Sequence, residues 1–211
     1  MNNQIRDYID NIVHSLAQMP EAERITVLNE IRSRLHEVSP FKNEPVDCVL
    51  WVPGDTVQAN NYNPNSVAPP EMKLLEISIA TDGFTQPIVV VKEKLDDREH
   101  TVADGFHRNR VGKESSRVKL RIKGYLPITV IGDEHMPMAD RMASTIRHNR
   151  ARGSHNIDLM SNIVAELVEM GKSDGWIAKH LGMDADEVLR LKQITGLAAL
   201  FKDRKYSRSW V

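Results

Sequence analysis

Cysteine is nearly absent. Cys48 stands alone in 211 residues, which excludes an internal disulfide and a cysteine-built metal centre. No apolar run approaches the ~20 residues that a membrane helix needs. The opening MNNQIRDYIDN also lacks the basic and apolar regions of a secretory leader. An excess of one charge sign is missing too: 28 Lys and Arg face 29 Asp and Glu, for a formal net charge of −1. Affinity for nucleic acid must therefore come from local patches rather than the overall field. Internal repeats and low-complexity segments are lacking. These absences predict a cytoplasmic chain with no membrane partner. What is present, 41% apolar and 27% charged residues, suffices for a packed core in one domain or two small ones.

The first 40 residues read as a helical hairpin. Ile5, Ile9, Ile12, Val13 and Leu16 share one face, and Pro20 opens a second pattern through Ile25, Leu28, Ile31 and Leu35. Packing or self-association is the role expected of it. From Val46 the texture changes. VDCVLWV (46–52) is a strand candidate, and the turn-rich NNYNPNSVAPP follows. A helix is predicted over about Glu71–Thr81, with Gly83 as its C-cap. QPIVVV and EHTVA predict a hairpin across the charged KEKLDDR, and LPITVI predicts a returning strand. Strands and helices alternating over this span indicate an α+β or α/β domain, drawn here as residues 46–152. Beyond Gly132 the pattern is all helical, over about 138–149, 157–170, 173–181 and 184–195, with a short terminal piece. A boundary is expected near Arg152–His155, leaving 153–211 as a helical domain.

Chemistry concentrates in TVADGFHRNRVGKE (101–114). An apolar strand running through Gly105 into a basic helix start can hold an anion: glycine permits the sharp turn, and the first helical N–H groups have no intrahelical acceptor. His107 and Arg108 would add donors, arginine bidentately. Asp104 would hold a metal-bound water or orient His107. The same residues also fit a solvated basic turn. A second tract, STIRHNRARGSH, places Arg147, Asn149, Arg150 and Arg152 near a helix end, where they would complete a triphosphate cradle with the first stretch, Asn149 as an oxygen ligand suited to Mg²⁺. The plain alternative is a basic helix end complementing its own dipole.

SDGWIAKHLGMDADEVLRLKQITG (173–196) has helix-turn-helix spacing. Ala178 stands at the helix crossing, Gly182 in the turn and Val188 locks the second helix, with Ile177, Leu181 and Leu189 as expected core. Lys179, Arg190 and Lys192 are the candidate DNA contacts. Asp184, Asp186 and Glu187, at the start of the second helix, oppose phosphate. Trp51 and Trp176 read as semi-buried packing, and Cys48 as an inert apolar position.

In this order, NPN (63–65), LLEISIATDGFTQPIVVV (74–91), HTVADGFHR (100–108), LPITVI (126–131), IRHNRARG (146–153) and the helix-turn-helix resemble the ParB/sulfiredoxin superfamily. The resemblance covers about residues 46–197 and is nearest to the IbrB group of prophage gene co-activators. It implies a ParB/sulfiredoxin-like α+β domain binding a nucleoside triphosphate, ATP or CTP, with Mg²⁺. By position, Gln86 and Pro87 match one nucleotide segment, Gly105, His107 and Arg108 a second, and Asn149 with Arg152 a third. It also implies DNA binding, transcription regulation, a homodimer, and an IbrA-like partner resembling phosphoadenosine-phosphosulfate reductases. Three departures count. Phe106 stands where sulfiredoxin has its cysteine, which argues against sulfinic-acid reduction. His148 replaces the glutamate before the ParB metal-binding asparagine, and Asn65 replaces the arginine of its NPR element. The alternative, an NTPase or phosphotransferase, would use Asp104 and His107 catalytically, with Asp82, Asp104 or His148 as base.

Overall fold

The computed structural model describes residues 3–60, 68–92, 100–132, 136–150 and 157–201, with backbone alone at 148–150 and 197–201. Helices α1 (Asn3–Gln18) and α2 (Glu21–Glu37) form the expected hairpin, broken at Pro20. Five strands build one mixed sheet: β1 (Leu50–Pro53), β2 (Val57–Gln58), β3 (Ile88–Lys92), β4 (His100–Asp104) and β5 (Tyr125–Val130), in the order β1-β5-β3-β4-β2. β1 with β5 and β3 with β4 run antiparallel; β3 with β5 and β2 with β4 run parallel. The β3–β4 hairpin is as the sequence predicts, although most of its connecting segment lies outside the described residues.

Two expectations need correction here. Residues 45–47 form a 3-10 turn started by Pro45, whose fixed φ and missing N–H suit a turn, so the strand begins only at Leu50. β2 was not anticipated; its two paired residues are too short to leave a period.

Helices α3 (Pro69–Asp82), α4 (Phe106–Glu114) and α5 (Ser116–Arg121) cover one side of the sheet. α3 opens on Pro69 and Pro70, where a missing N–H is harmless, and the Glu71 carboxylate accepts the Ala68 N–H at 2.9 Å. Gly83 ends it as expected, with φ +86° and its N–H on the Ile79 carbonyl. The single basic helix foreseen after Gly105 is two helices. Ser115 ends α4 and caps α5, accepting the Val118 N–H. Gly112 lets α4 lie close on the sheet, because a Cβ there would overlap Leu126 Cδ2. Val57, Ile88, Val90, Val102, Leu126 and Ile128 fill the space between.

The remaining helices are α6 (Met138–Arg150), α7 (Ile157–Glu169), α8 (Asp174–Leu181) and α9 (Ala185–Phe201). α6 has two attachments: it packs on β4, and it gives Met142, Ala143 and Ile146 to the core of the α7–α9 bundle. The predicted 152–155 boundary, the NPN element and the terminal piece lie outside the described residues. Within the bundle Ile177, Leu181 and Val188 are buried as expected. Leu189 is not: it is 51% exposed, and Val188 and Leu191 take the core positions instead. Leu189 lies about 100° round the helix from Val188, and on α9 that places it outside the buried face.

Candidate phosphate site at the Gly105 turn

The antiparallel β3–β4 pairing decides which residues meet. Val89 lies opposite Asp104, so the residues entering β3, Gln86 and Pro87, stand beside those leaving β4. The chain then turns at Gly105, with φ +90° and ψ 27°, and enters α4 directly. A side chain is strained in that left-handed conformation, and a Cβ would sit 2.9 Å from the Arg108 guanidinium. Glycine here admits both the turn and the arginine.

The Arg108 guanidinium spans the two strand ends. One terminal nitrogen donates to Gln86 Oε1 and the other pairs with Asp104 Oδ2 at 3.4 Å. The arginine side chain is 15% exposed and the Asp104 side chain 6%. Three of the predicted residues, 22 positions apart at the extremes, are thus brought together.

His107 behaves differently from expectation. Asp104 faces Arg108, and both imidazole nitrogens of His107 are buried without a hydrogen-bond partner. The ring packs edge-on to Phe106 at 5.6 Å. Burial, and after it the charge of Arg110, lowers its pKa below the ordinary histidine value. A neutral imidazole offers one donor and one acceptor, and both are unspent here. Asp104 does not orient it, which corrects that expectation.

Sequence reasoning missed Asn60. It follows β2, which runs parallel to β4, so it sits at the same end of the sheet as Gly105. Its amide donates to the Val102 carbonyl at 2.6 Å, while its Oδ1 is buried and unpartnered. Its only sequence signal was a place in an asparagine-rich turn. Asn109 Oδ1, one turn into α4, is buried and unpartnered as well.

The second basic tract is only partly described. Side chains at His148, Asn149 and Arg150, and all of Arg152, lie outside the described residues. Arg147 turns away from the nucleotide role assigned to it: it is exposed and donates to the His180 carbonyl in the last turn of α8 at 3.2 Å. A guanidinium suits such a helix end, which offers unpaired carbonyls. Asp82, another candidate base, is exposed at the end of α3. Among the described residues no group of three His, Cys, Asp or Glu side chains is placed to hold a metal ion.

On α8 and α9, Lys179 and Arg190 are exposed. Lys192 is engaged: its Nζ bonds both Asp174 carboxylate oxygens, at 2.9 and 3.0 Å. Gly182 forms the turn with φ +68°. Trp176 stacks on His180 at 4.1 Å and carries Lys172 on its ring at 4.6 Å, so its half-burial is packing, as expected.

Fold and comparison together define the class: an α+β domain joined to a C-terminal helix-turn-helix domain of the IbrB-like type, whose family matches residues 155–203. The uncharacterized protein YbdM of Escherichia coli K12 is 56% identical over 200 residues, covering 95% of this chain and 93% of that protein. The chain belongs to the YbdM family. Two structures of C-terminally truncated ParB from Caulobacter crescentus were also matched. One, in complex with CTP-gamma-S, has a TM-score of 0.41 at 18% identity and covers 73% of this chain and 86% of that truncated chain. The other, on the centromeric parS site, has a TM-score of 0.46 at 17% identity and covers 74% and 79%. Among the described residues no helix is long and apolar enough to cross a membrane.

Proposed function

We propose that this is a DNA-associated regulatory protein whose α+β domain binds a phosphate-bearing nucleotide at the Gly105 turn. The observation that carries the reading is the joining of Gln86, Asp104 and Arg108 beside His107, whose two buried nitrogens have no partner. A phosphate placed before the first turn of α4 would take free helical N–H groups and the arginine fork together. Pro87 shapes the approach. Asn149, Arg150 and Arg152 are assigned to the same ligand, ATP or CTP, with Asn149 acting through Mg²⁺. Lys179 and Arg190 are assigned to DNA. An IbrA-like sulfonucleotide-enzyme partner, a homodimer and a cytoplasmic location complete the assignment.

Binding is favoured over turnover by one arrangement. In a phosphotransferase the Asp104–His107 pair would be poised as acid and base, whereas here the aspartate serves the arginine and the imidazole contacts no carboxylate. The test is calorimetry with ATP, ADP, CTP, GTP and phosphoadenosine phosphosulfate, with and without Mg²⁺. The reading requires one of them to bind, and to be lost in Arg108→Lys. Binding by none, or binding indifferent to position 108, overturns it.

A further inference from the structure

The helical hairpin shows no chemistry in sequence, but its docking creates a cleft. Between α2 and the α+β domain lies a cavity of about 570 Å³, within the size range of small-ligand sites. The chain has three tryptophans, four tyrosines and four phenylalanines, and one of each, Trp51, Tyr125 and Phe84, lines this cleft. Four cations, Arg24, Arg32, Arg121 and Lys123, line it as well, against the carboxylates of Glu21 and Asp82. Glu21 is already paired with Lys123.

Two of these cations have donors to spare. Arg24 uses one terminal nitrogen on the Ala17 and Met19 carbonyls, at 3.3 and 2.8 Å, closing the end of α1. Its Nε is buried with no partner. Arg121 makes a long contact of 3.4 Å to the Ala80 carbonyl and lays its guanidinium over Gly83. Lys123 adds a backbone signal. At φ +55° it is the one non-glycine residue in the left-handed region among those described, and its side chain reaches Glu21 on α2. Such conformations cluster where a ligand or switch is held.

We propose that this cleft binds a small planar aromatic anion, its ring against Trp51, Phe84 and Tyr125 and its acidic group on Arg24 and Arg121. Aromatic faces supply area at low entropic cost, and the guanidiniums fix orientation. The ligand would touch both the hairpin and the α+β domain, so occupancy would raise thermal stability by mass action. The site is separate from the Gly105 turn and does not depend on its assignment.

The test uses 1-naphthyl phosphate, with 1-naphthol and inorganic phosphate as controls, followed by the tryptophan indole N–H signals of the full chain. Saturable movement of the Trp51 signal with 1-naphthyl phosphate is expected, while the Trp176 and Trp210 signals hold still. Arg121→Ala should weaken binding about tenfold or more, and Arg108→Lys, which disables the Gly105 site, should leave binding at the cleft unchanged. Phe84→Leu, which retains apolar volume, gives a second variant should Arg121→Ala fail to fold, and should also weaken binding. A still Trp51 signal at millimolar probe overturns the proposal. So does equal affinity for 1-naphthol, or loss in the folded Arg108→Lys variant, which would put the probe at the turn. Retained affinity in both folded cleft variants overturns it as well.

Discussion

Arg108 carries two duties, and substitutions separate them. Its guanidinium partners the nearly buried Asp104 carboxylate, so truncation to alanine is expected to destabilise the fold by about 1–3 kcal/mol. Arg108→Lys keeps the charge beside Asp104 but loses the fork that meets phosphate oxygens bidentately. The lysine variant should therefore keep most of the melting temperature while losing about 2–5 kcal/mol of nucleotide binding, the range for a removed buried charge contact. Calorimetry and thermal denaturation on one preparation check both halves. His107 sets a pH dependence at the same place. Its folded pKa lies below the ordinary value, so the unfolded chain binds the proton more readily. Stability is then unaffected well above pH ~6.5 and falls as the pH drops through that value. A phosphate accepting from the imidazole reverses the preference, because the protonated ring becomes the better donor. Nucleotide affinity should thus rise as pH falls from 8 to 6, with proton uptake that vanishes in His107→Gln. A flat affinity profile would remove His107 from the site.

At the scale of elements, charge on the helix-turn-helix decides what kind of DNA grip is available. Asp184 caps α9 by accepting the Glu187 N–H at 2.6 Å, and Asp186 and Glu187 stand in its first turn, which suits the helix dipole and opposes phosphate. Lys192 is held by Asp174 across the two helices, leaving Lys179 and Arg190 outward. DNA affinity should be weak and steep in salt. Arg190→Ala should lower the slope of log K against log salt by about 0.9, the value of one phosphate contact, and Lys192→Ala should leave it unaltered. The Lys192–Asp174 pair is partly exposed and worth at most about 1 kcal/mol to stability, so the lysine variant stays folded for the comparison. Nanomolar sequence-specific binding at physiological salt, lost on substitution of α9, would contradict this. This element was largely legible in sequence, since spacing around Gly182 and the buried Ile177, Leu181 and Val188 follow from helical period. Leu189 was misread because an apolar residue next to a core position can fall on either side of the buried face, and the period does not say which. The Gly105 turn was legible through the β3–β4 hairpin, which alone brings Gln86 near Arg108. The direction of Arg147 was not, since a period specifies a helix face and not the neighbour that face meets. Asn60 stayed hidden because its place depends on β2, a strand of two residues.

For the whole molecule, the question is what joins the hairpin to the α+β domain. β1 is an edge strand, and its outward backbone groups need partners, or the edge invites pairing with another chain. Asn29 of α2 supplies both: its amide donates to the Trp51 carbonyl at 2.7 Å, and its Oδ1 accepts the Trp51 N–H at 3.1 Å. One side chain thereby stands in for a strand neighbour. Two ion pairs also cross: Lys123 with Glu21, both side chains more than half exposed and worth little, and His36 Nδ1 with Asp47 Oδ2 at 2.7 Å. Asn29 is therefore the polar fastening of the β1 edge itself. Asn29→Ala leaves a half-buried N–H and carbonyl unpaired, at a cost of about 1–3 kcal/mol. The loss should be local before it is global. Hydrogen exchange at the Trp51 amide should accelerate, and protease should cut the 38–49 connection sooner, while exchange in β3 and β4 stays slow. Asn29→Asp tests the logic from the other side, since its carboxylate can still accept the Trp51 N–H but cannot donate to the carbonyl, and it should fall between wild type and alanine. Glu21→Gln should shift these readouts far less. If Asn29→Ala leaves Trp51 exchange and the melting curve unchanged, the hairpin is held by its apolar contacts and its ion pairs, and Asn29 is only a passenger on α2.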